Sequence, residues 1–318
     1  LGLLVLTATM AFFAVDPGEI ASAFSGVSLE WLVAAALAYA LGQIASGLSW
    51  HRCLRAARLN VGARQTMMAY WIGRGVGELL PGQLGEGVKL WVLRRHPEAH
   101  TAGWMKTAGS IGSFKMVESI ATFVVITVLI AALAPPGPLA DLRWAAVAAL
   151  VATVVAAPFL TRLHGPARRL GRRLPARVAK HIKAFVSGGN VFATPMQAVS
   201  ATLLAVVGVG AKVVFFLALL AAFGIPISAT PLVFCLVMAA SLLPVLPGGL
   251  GVREAAMVPA LVAAYGLALE SGLAFSLGVQ ATILLVCASG GIMAITLLGL
   301  SKAREFAPAL IGRVARVG

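Results

Sequence analysis

Ten ionisable side chains stand inside otherwise apolar stretches of this sequence: Arg74, Glu78, Glu86, Lys89, Lys106, Lys115, Glu118, Lys212, Arg253 and Glu254. An ionisable group near the middle of a membrane costs about 2.5 to 3.5 kcal/mol, so each one needs a partner, a water path or a task. Four of them directly follow a helix break. Glu86 and Lys89 come after Leu80-Pro81-Gly82-Gln83-Leu84-Gly85, and Arg253-Glu254 after Leu246-Pro247-Gly248-Gly249-Leu250-Gly251. A helix that restarts after Pro-Gly presents unpaired backbone N–H groups and the positive end of its dipole, which suits an anionic group such as phosphate. Lys89 and Arg253 would add direct cationic contacts, while Glu86 and Glu254 would position those bases or bind an amine or a sugar hydroxyl. Pro81, Gly82, Gly85, Pro247, Gly248, Gly249 and Gly251 shape the two breaks and are counted with the binding residues.

The remaining charges allow two readings. Arg74 and Glu78 are four apart and Lys115 and Glu118 three apart, so on helices each pair either neutralises itself or joins Lys212 in facing a cargo. Lys106 is expected to snorkel to the inner surface. Six bases against four acids leave this interior set positive by two, so the expected cargo is anionic at its head. Catalytic alternatives find little support: the five histidines fall in expected loops, and no His-Glu-x-x-His or Ser-His-Asp arrangement can be assembled. Cys53, Cys235 and Cys287 lack metal-type spacing and are odd in number, so no disulfide framework, metal or cofactor is expected.

The elements that must hold these residues are membrane helices. The sequence is 60% hydrophobic and 11% charged with a mean hydropathy of +0.94, the composition of an all-α polytopic membrane protein. Its net charge of +14 sits between apolar runs, as topology-setting charge does, and not on a base-reading surface, so nucleic acid is not an expected partner. Six full spans are expected: Leu1–Val15, which lacks the features of a signal peptide, Leu29–Trp50, Thr101–Ala134, Trp144–Leu160, Met196–Phe223 and Ser271–Leu300. Two Pro-Gly-broken segments, about 65–93 and about 229–266, are expected as re-entrant helical hairpins. Of 25 Lys and Arg, 18 fall in loops placed on the cytoplasmic side, one outside (Arg143) and six within spans or hairpins. That distribution puts both termini in the cytoplasm and makes the hairpins face opposite ways.

The two breaks are 166 residues apart, and the same shift carries Leu29–Trp50 onto 195–216 and Trp104–Ala134 onto 270–300. The chain is accordingly divided into a first membrane repeat (1–161), a basic amphipathic cytoplasmic linker (162–190), a second repeat (191–300) and a basic tail (301–318), the repeats having inverted topology.

On these residues a resemblance can be stated. Arg74-x-x-x-Glu78, Leu80-Pro81-Gly82-x-x-Gly85-Glu86, Glu118 and Pro247-Gly248-Gly249-Leu250-Gly251-Val252-Arg253-Glu254 resemble the lysylphosphatidylglycerol synthase transmembrane, or flippase-like, family over nearly the whole chain. The resemblance implies movement of lipids with large polar heads between leaflets: aminoacylated phosphatidylglycerol where a synthase domain is attached, glycosylated or polyprenyl-phosphate-linked lipids in stand-alone members. These 318 residues contain no soluble aminoacyl-transferase domain, so lysyl-lipid synthesis is not expected of them. They also carry Ser119 where the family pattern leads one to expect arginine, with Lys115 as the substitute.

The expected function is therefore a flippase, a transporter and not an enzyme, in a bacterial cytoplasmic (inner) membrane. Its partners are membrane lipids with anionic or zwitterionic heads, and a second copy of the chain or a lipid-synthesis enzyme is the protein partner it allows. The rivals are an intramembrane lipid-modifying transferase, with Glu86 or Glu254 as base and Arg253 on phosphate, and a non-transporting accessory subunit of a lipid-synthesis complex.

Overall fold

A computed structural model describes residues 17–80, 84–133, 176–240 and 251–298. The expected spans Leu1–Val15 and Trp144–Leu160, the first part of the basic linker (162–175), the tips holding Pro81, Gly82, Pro247, Gly248 and Gly249, and the tail lie outside the described residues. Every described element is helical: α1 (Pro17–Ser25), α2 (Leu29–Ala56), α3 (Ala63–Leu79), α4 (Leu84–Leu93), α5 (Pro97–Ala102), α6 (Trp104–Ala132), α7 (Ala176–Gly188), α8 (Pro195–Ala222), α9 (Thr230–Ala240), α10 (Val252–Tyr265) and α11 (Leu269–Leu297), with single 3-10 turns before α8 and α9.

Four of these helices, α2, α6, α8 and α11, have 28 or 29 residues and are apolar enough to cross a membrane. At 1.5 Å per residue each is about 42 Å long, against a hydrocarbon core of about 30 Å. The helices flanking the two breaks are much shorter, with 17 and 10 residues in α3 and α4 and 11 and 14 in α9 and α10.

Lipid tails are as apolar as leucine, so membrane helices associate through close packing of small residues and through internal polar contacts. The centre of the bundle follows that rule. Helices α2 and α8 run antiparallel along their whole length: the Ser28 amide donates to the Ala222 carbonyl at 3.2 Å at one end, and the Ser49 hydroxyl donates to the Ala201 carbonyl at 2.8 Å towards the other. Midway the backbones meet at Gly42 and Gly208, where a Cβ built on Gly42 would lie 2.9 Å from the Gly208 carbonyl oxygen. Helix α3 packs on α11 in the same way, with Gly75 against the backbone of Cys287 and Gly291, and the Trp71 ring against Gly290. Phe216 of α8 and Phe234 of α9 meet edge-on with ring centroids 5.8 Å apart, and Phe215 packs on Tyr39 of α2 at 5.0 Å.

The offset seen in the motifs also governs the helix bounds. Adding 166 to Leu29–Ala56 gives 195–222, the bounds of α8, and adding it to Trp104–Ala132 gives 270–298, one residue from the bounds of α11. Gly42 and Gly208 are related by the same number, as are Gly85 and Gly251.

Candidate functional site

The first hairpin is held shut by glycine. In α3, Gly73 and Gly77 face Gly85 of α4 so closely that a Cβ on Gly85 would fall 2.5 Å from the Gly73 carbonyl oxygen and 2.8 Å from the Gly77 Cα. This contact lays the aliphatic stem of Lys89 along Gly73 and sets its ammonium 4.7 Å from the centroid of the Tyr70 ring, a cation–π distance. Lys89 is buried, and its Nζ lies 2.9 Å from Glu86 Oε1.

From that pair a chain of alternating charge crosses the bundle. Lys115 of α6 reaches both Glu86 Oε1, at 3.3 Å, and Glu118 Oε2, at 3.4 Å. Glu118 Oε1 then meets Lys212 Nζ of α8 at 2.9 Å. The order Lys89–Glu86–Lys115–Glu118–Lys212 gives each acid a base on either side, and its last link joins residues from the two halves of the chain. Lys115, its middle member, has 46% of its side chain exposed, against 3% for Lys89. The line of charge is thus open at its centre and closed at the Lys89 end.

A second set lies beside the first along α3, where Tyr70 and Arg74 are one turn apart. The Arg74 Nη2 group donates to the Tyr39 hydroxyl at 3.0 Å and to Glu78 Oε1 at 2.9 Å. Arg253, from the second hairpin, places Nη2 3.9 Å from Glu78 Oε2 and donates from Nη1 to Gln280 Oε1 of α11 at 2.6 Å. Glu78 therefore sits between an arginine from each half. Tyr70 donates to Gln43 Oε1 at 2.8 Å, tying the two sets to α2.

Both pairs expected from local spacing, Arg74–Glu78 and Lys115–Glu118, form, but each is also engaged by a base from elsewhere, so neither closes on itself. Glu86 holds Lys89, as expected. Glu254 does not hold Arg253: its two carboxylate oxygens are buried without a side-chain partner, beside the amides of Gly251 and of Glu254 itself. Lys106 stands apart, in the first turn of α6 where its backbone packs on Gly188 of the basic helix α7. Without it, and without the unpaired Glu254, the connected set has five bases and three acids, positive by two.

The break before α10 has a clear backbone cause. Gly251 has φ +78° and ψ −40°, a conformation that disfavours any residue with a Cβ, and it starts the helix whose first turn carries Arg253 and Glu254. Gly85, its equivalent at the 166-residue offset, is required instead for close approach.

Charge alone does not reveal Tyr39, Gln43, Tyr70 and Gln280, which complete the site as neutral partners of charged groups or of one another. A signal was present in α2, where Tyr39, Gln43, Ser46 and Trp50 recur at helical spacing and are all buried. Among the described residues there is no cluster of His, Cys, Asp and Glu suited to a metal ion.

The family model for the lysylphosphatidylglycerol synthase TM region matches residues 1–291. The chain belongs to that family. As a member of the lysylphosphatidylglycerol synthase TM family with four apolar helices of membrane-crossing length, it is an integral membrane protein whose role concerns membrane lipids. No curated protein and no solved structure matches the chain.

Proposed function

We propose that this protein is a lipid flippase, moving a lipid with an anionic or zwitterionic head group between leaflets by alternating access while its acyl or prenyl chains stay in the bilayer. The observation that carries this proposal is the charge chain Lys89–Glu86–Lys115–Glu118–Lys212, which joins both halves of the protein and is open at Lys115. A head-group anion that approaches Lys115 takes the place of Glu86 or Glu118, and an amine or hydroxyl on the same head group takes up the displaced carboxylate. The exchange swaps one ion pair for another, so no charge is left unpaired in a low-dielectric interior. Binding of that kind is selective for polar heads yet weak enough to reverse. Glycosylated, polyprenyl-phosphate-linked and aminoacylated lipids all present this combination.

The helices suit such a carrier. The arms α3, α4, α9 and α10 are each shorter than the roughly 20 residues needed to cross, which fits two re-entrant hairpins beside six full spans. Equivalent helices α2 and α8 are antiparallel, as they are in inverted repeats. The two repeats rock about this central pair and expose the charges to each face in turn. The protein resides in a bacterial cytoplasmic membrane with both termini in the cytoplasm, works as a transporter and not as an enzyme, and has membrane lipids as its partners.

The test is transbilayer movement in reconstituted vesicles, followed for a panel of labelled anionic and zwitterionic lipids with wild type, Lys115→Met and Glu118→Gln. Movement of one lipid class by wild type, slowed at least tenfold in both variants, is the expected result. Absence of movement for every lipid under every ion gradient would overturn the proposal, and recovery of a covalently altered lipid would replace it with a transferase.

A further inference from the structure

Four acids lie in or beside the polar interior, and three are neutralised by bases: Glu78 by Arg74 and Arg253, Glu86 by Lys89 and Lys115, Glu118 by Lys115 and Lys212. Glu254 is different. It is only 7% exposed, and neither carboxylate oxygen bonds to a side chain, the amides of Gly251 and of Glu254 itself being the donors beside it. Its neighbour Arg253 is committed to Gln280 at 2.6 Å and extends towards Glu78. The other titratable groups on α10 and the described elements beside it are Tyr265 on α10 itself, Cys235 on α9, Glu270 and Cys287 on α11, and Arg64, Tyr70, Arg74 and Glu78 on α3, and none bonds to Glu254. Burying an ionised carboxylate without a counter-ion bonded to it costs far more than burying the neutral acid, and two backbone amides offset only part of that cost, so a carboxyl in this setting holds a proton and gives it up only when water or a base reaches it.

We infer that Glu254 is the proton-carrying acid of this protein, and that its protonation and deprotonation drive the movement of the second hairpin. The inference deepens the flippase proposal and, for its coupling part, rests on it. The mechanical link is short. Arg253 and Glu254 share the first turn of α10, so any shift that brings water to Glu254 also moves Arg253, which bridges the second hairpin to Glu78 on the first. The turn is free to shift, since Gly251 precedes it in a positive-φ conformation and Pro259 leaves the Ala255 carbonyl without its helical donor. With the proton on, the turn packs inward as observed. With the proton off, the carboxylate must reach water or recruit Arg253, which releases Glu78 and loosens the contact between the hairpins.

Two measurements decide the matter. In infrared difference spectra of the purified, reconstituted protein, the carbonyl stretch of a protonated carboxyl group is expected at neutral pH in wild type, in Glu78→Gln, in Glu86→Gln and in Glu118→Gln, and is expected to vanish in Glu254→Gln. Absence of the band from wild type, or its persistence in Glu254→Gln, would overturn the inference without touching the flippase proposal. In vesicles with the membrane potential clamped, a pH difference of about one unit should shift the leaflet distribution of the transported lipid by about tenfold if one proton accompanies each lipid. The shift should disappear in Glu254→Gln. Lipid movement in wild type that ignores the pH difference, or a shift that survives in the variant, would overturn the coupling; if wild type moves no lipid at all, the flippase proposal and the coupling fail together and the proton site stands or falls on the infrared band.

Discussion

Gly42 and Gly208 touch each other across the antiparallel pair α2 and α8, and they are equivalent residues, 166 positions apart like the helices that carry them. A contact between equivalent residues is what a two-fold axis leaves where it passes through a structure. The same spot shows where the symmetry stops. Position 46 of α2 is a serine, and its equivalent in α8 is Lys212, so Gly208 packs beside a small hydroxyl while Gly42 packs beside the stem of a cation. The polar site is lopsided in the same sense. The equivalents of Arg74, Lys89, Lys115 and Glu118 are Ala240, Ala255, Ala281 and Leu284. Helix bounds repeat, and the chemistry does not.

The environments of the two glycines predict unequal sensitivity. A methyl group on Gly42 would meet the Gly208 carbonyl oxygen at 2.9 Å, a backbone atom that cannot turn aside, whereas one on Gly208 first meets the Ser46 hydroxyl at 2.9 Å, which can, and finds its nearest backbone atom, the Gly42 carbonyl oxygen, at 3.1 Å. Gly42→Ala should therefore lower stability by about 1 to 3 kcal/mol and Gly208→Ala by less. Gly210→Ala, with nothing within 4 Å, serves as the neutral control. Thermal unfolding in detergent reads all three.

The Glu118–Lys212 pair, at 2.9 Å between the halves, should behave as a buried ion pair. Lys212→Met leaves Glu118 with Lys115 alone and is expected to destabilise by about 3 kcal/mol, while Lys212→Met combined with Glu118→Leu should restore much of the loss, because no carboxylate is then stranded. Lipid movement should fail in both the single and the double variant. A double variant that regains stability and transport together would show that the pair serves only the fold.

Much of this site can be read from the sequence because charge is so costly in a membrane that every interior ionisable residue stands out. Arg74, Glu78, Glu86, Lys89, Lys115, Glu118, Lys212 and Arg253 are all found in contact with one another or with shared partners. Which base meets which acid was not legible, since i,i+3 and i,i+4 spacing reports only partners on the same helix. Lys212–Glu118, Lys115–Glu86 and Arg253–Glu78 depend on how helices distant in sequence are laid together. Tyr39 and Gln280 were missed because a neutral polar residue is tolerated on many helix faces for purely local reasons. The 166-residue offset was visible in the two motifs and extends to the helix bounds, since both repeats must span the same thickness of lipid.

The two motif glycines at equivalent positions should fail for different reasons. Gly85→Ala drives a methyl into the Gly73 carbonyl at 2.5 Å and should separate α3 from α4, dislodging Lys89 from the Tyr70 ring. Gly251→Ala meets its penalty in the backbone, about 1 to 3 kcal/mol for holding a Cβ in a sparsely populated positive-φ conformation. Gly87→Ala, whose methyl would meet nothing within 4 Å, should be silent. Apparent melting temperatures ranked Gly85→Ala lowest, Gly251→Ala intermediate and Gly87→Ala near wild type would bear this out.

The exposure of Lys115 sets the last expectation. Its side chain is 46% exposed while those of Lys89 and Glu118 are 3% and 18%, so a water-soluble thiol reagent should modify Lys115→Cys well before Lys89→Cys or Glu118→Cys. The native thiols interfere little, because Cys53 and Cys287 are buried and the half-buried Cys235 can be replaced by serine. If Lys115 marks the mouth through which head groups enter, the transported lipid should slow its modification and a lipid that is not moved should leave the rate unchanged. Equal protection by every lipid would mean that the acyl chains cover the position, and modification of Lys89→Cys as fast as Lys115→Cys would mean that the charge chain is open along its whole length and has no single point of entry.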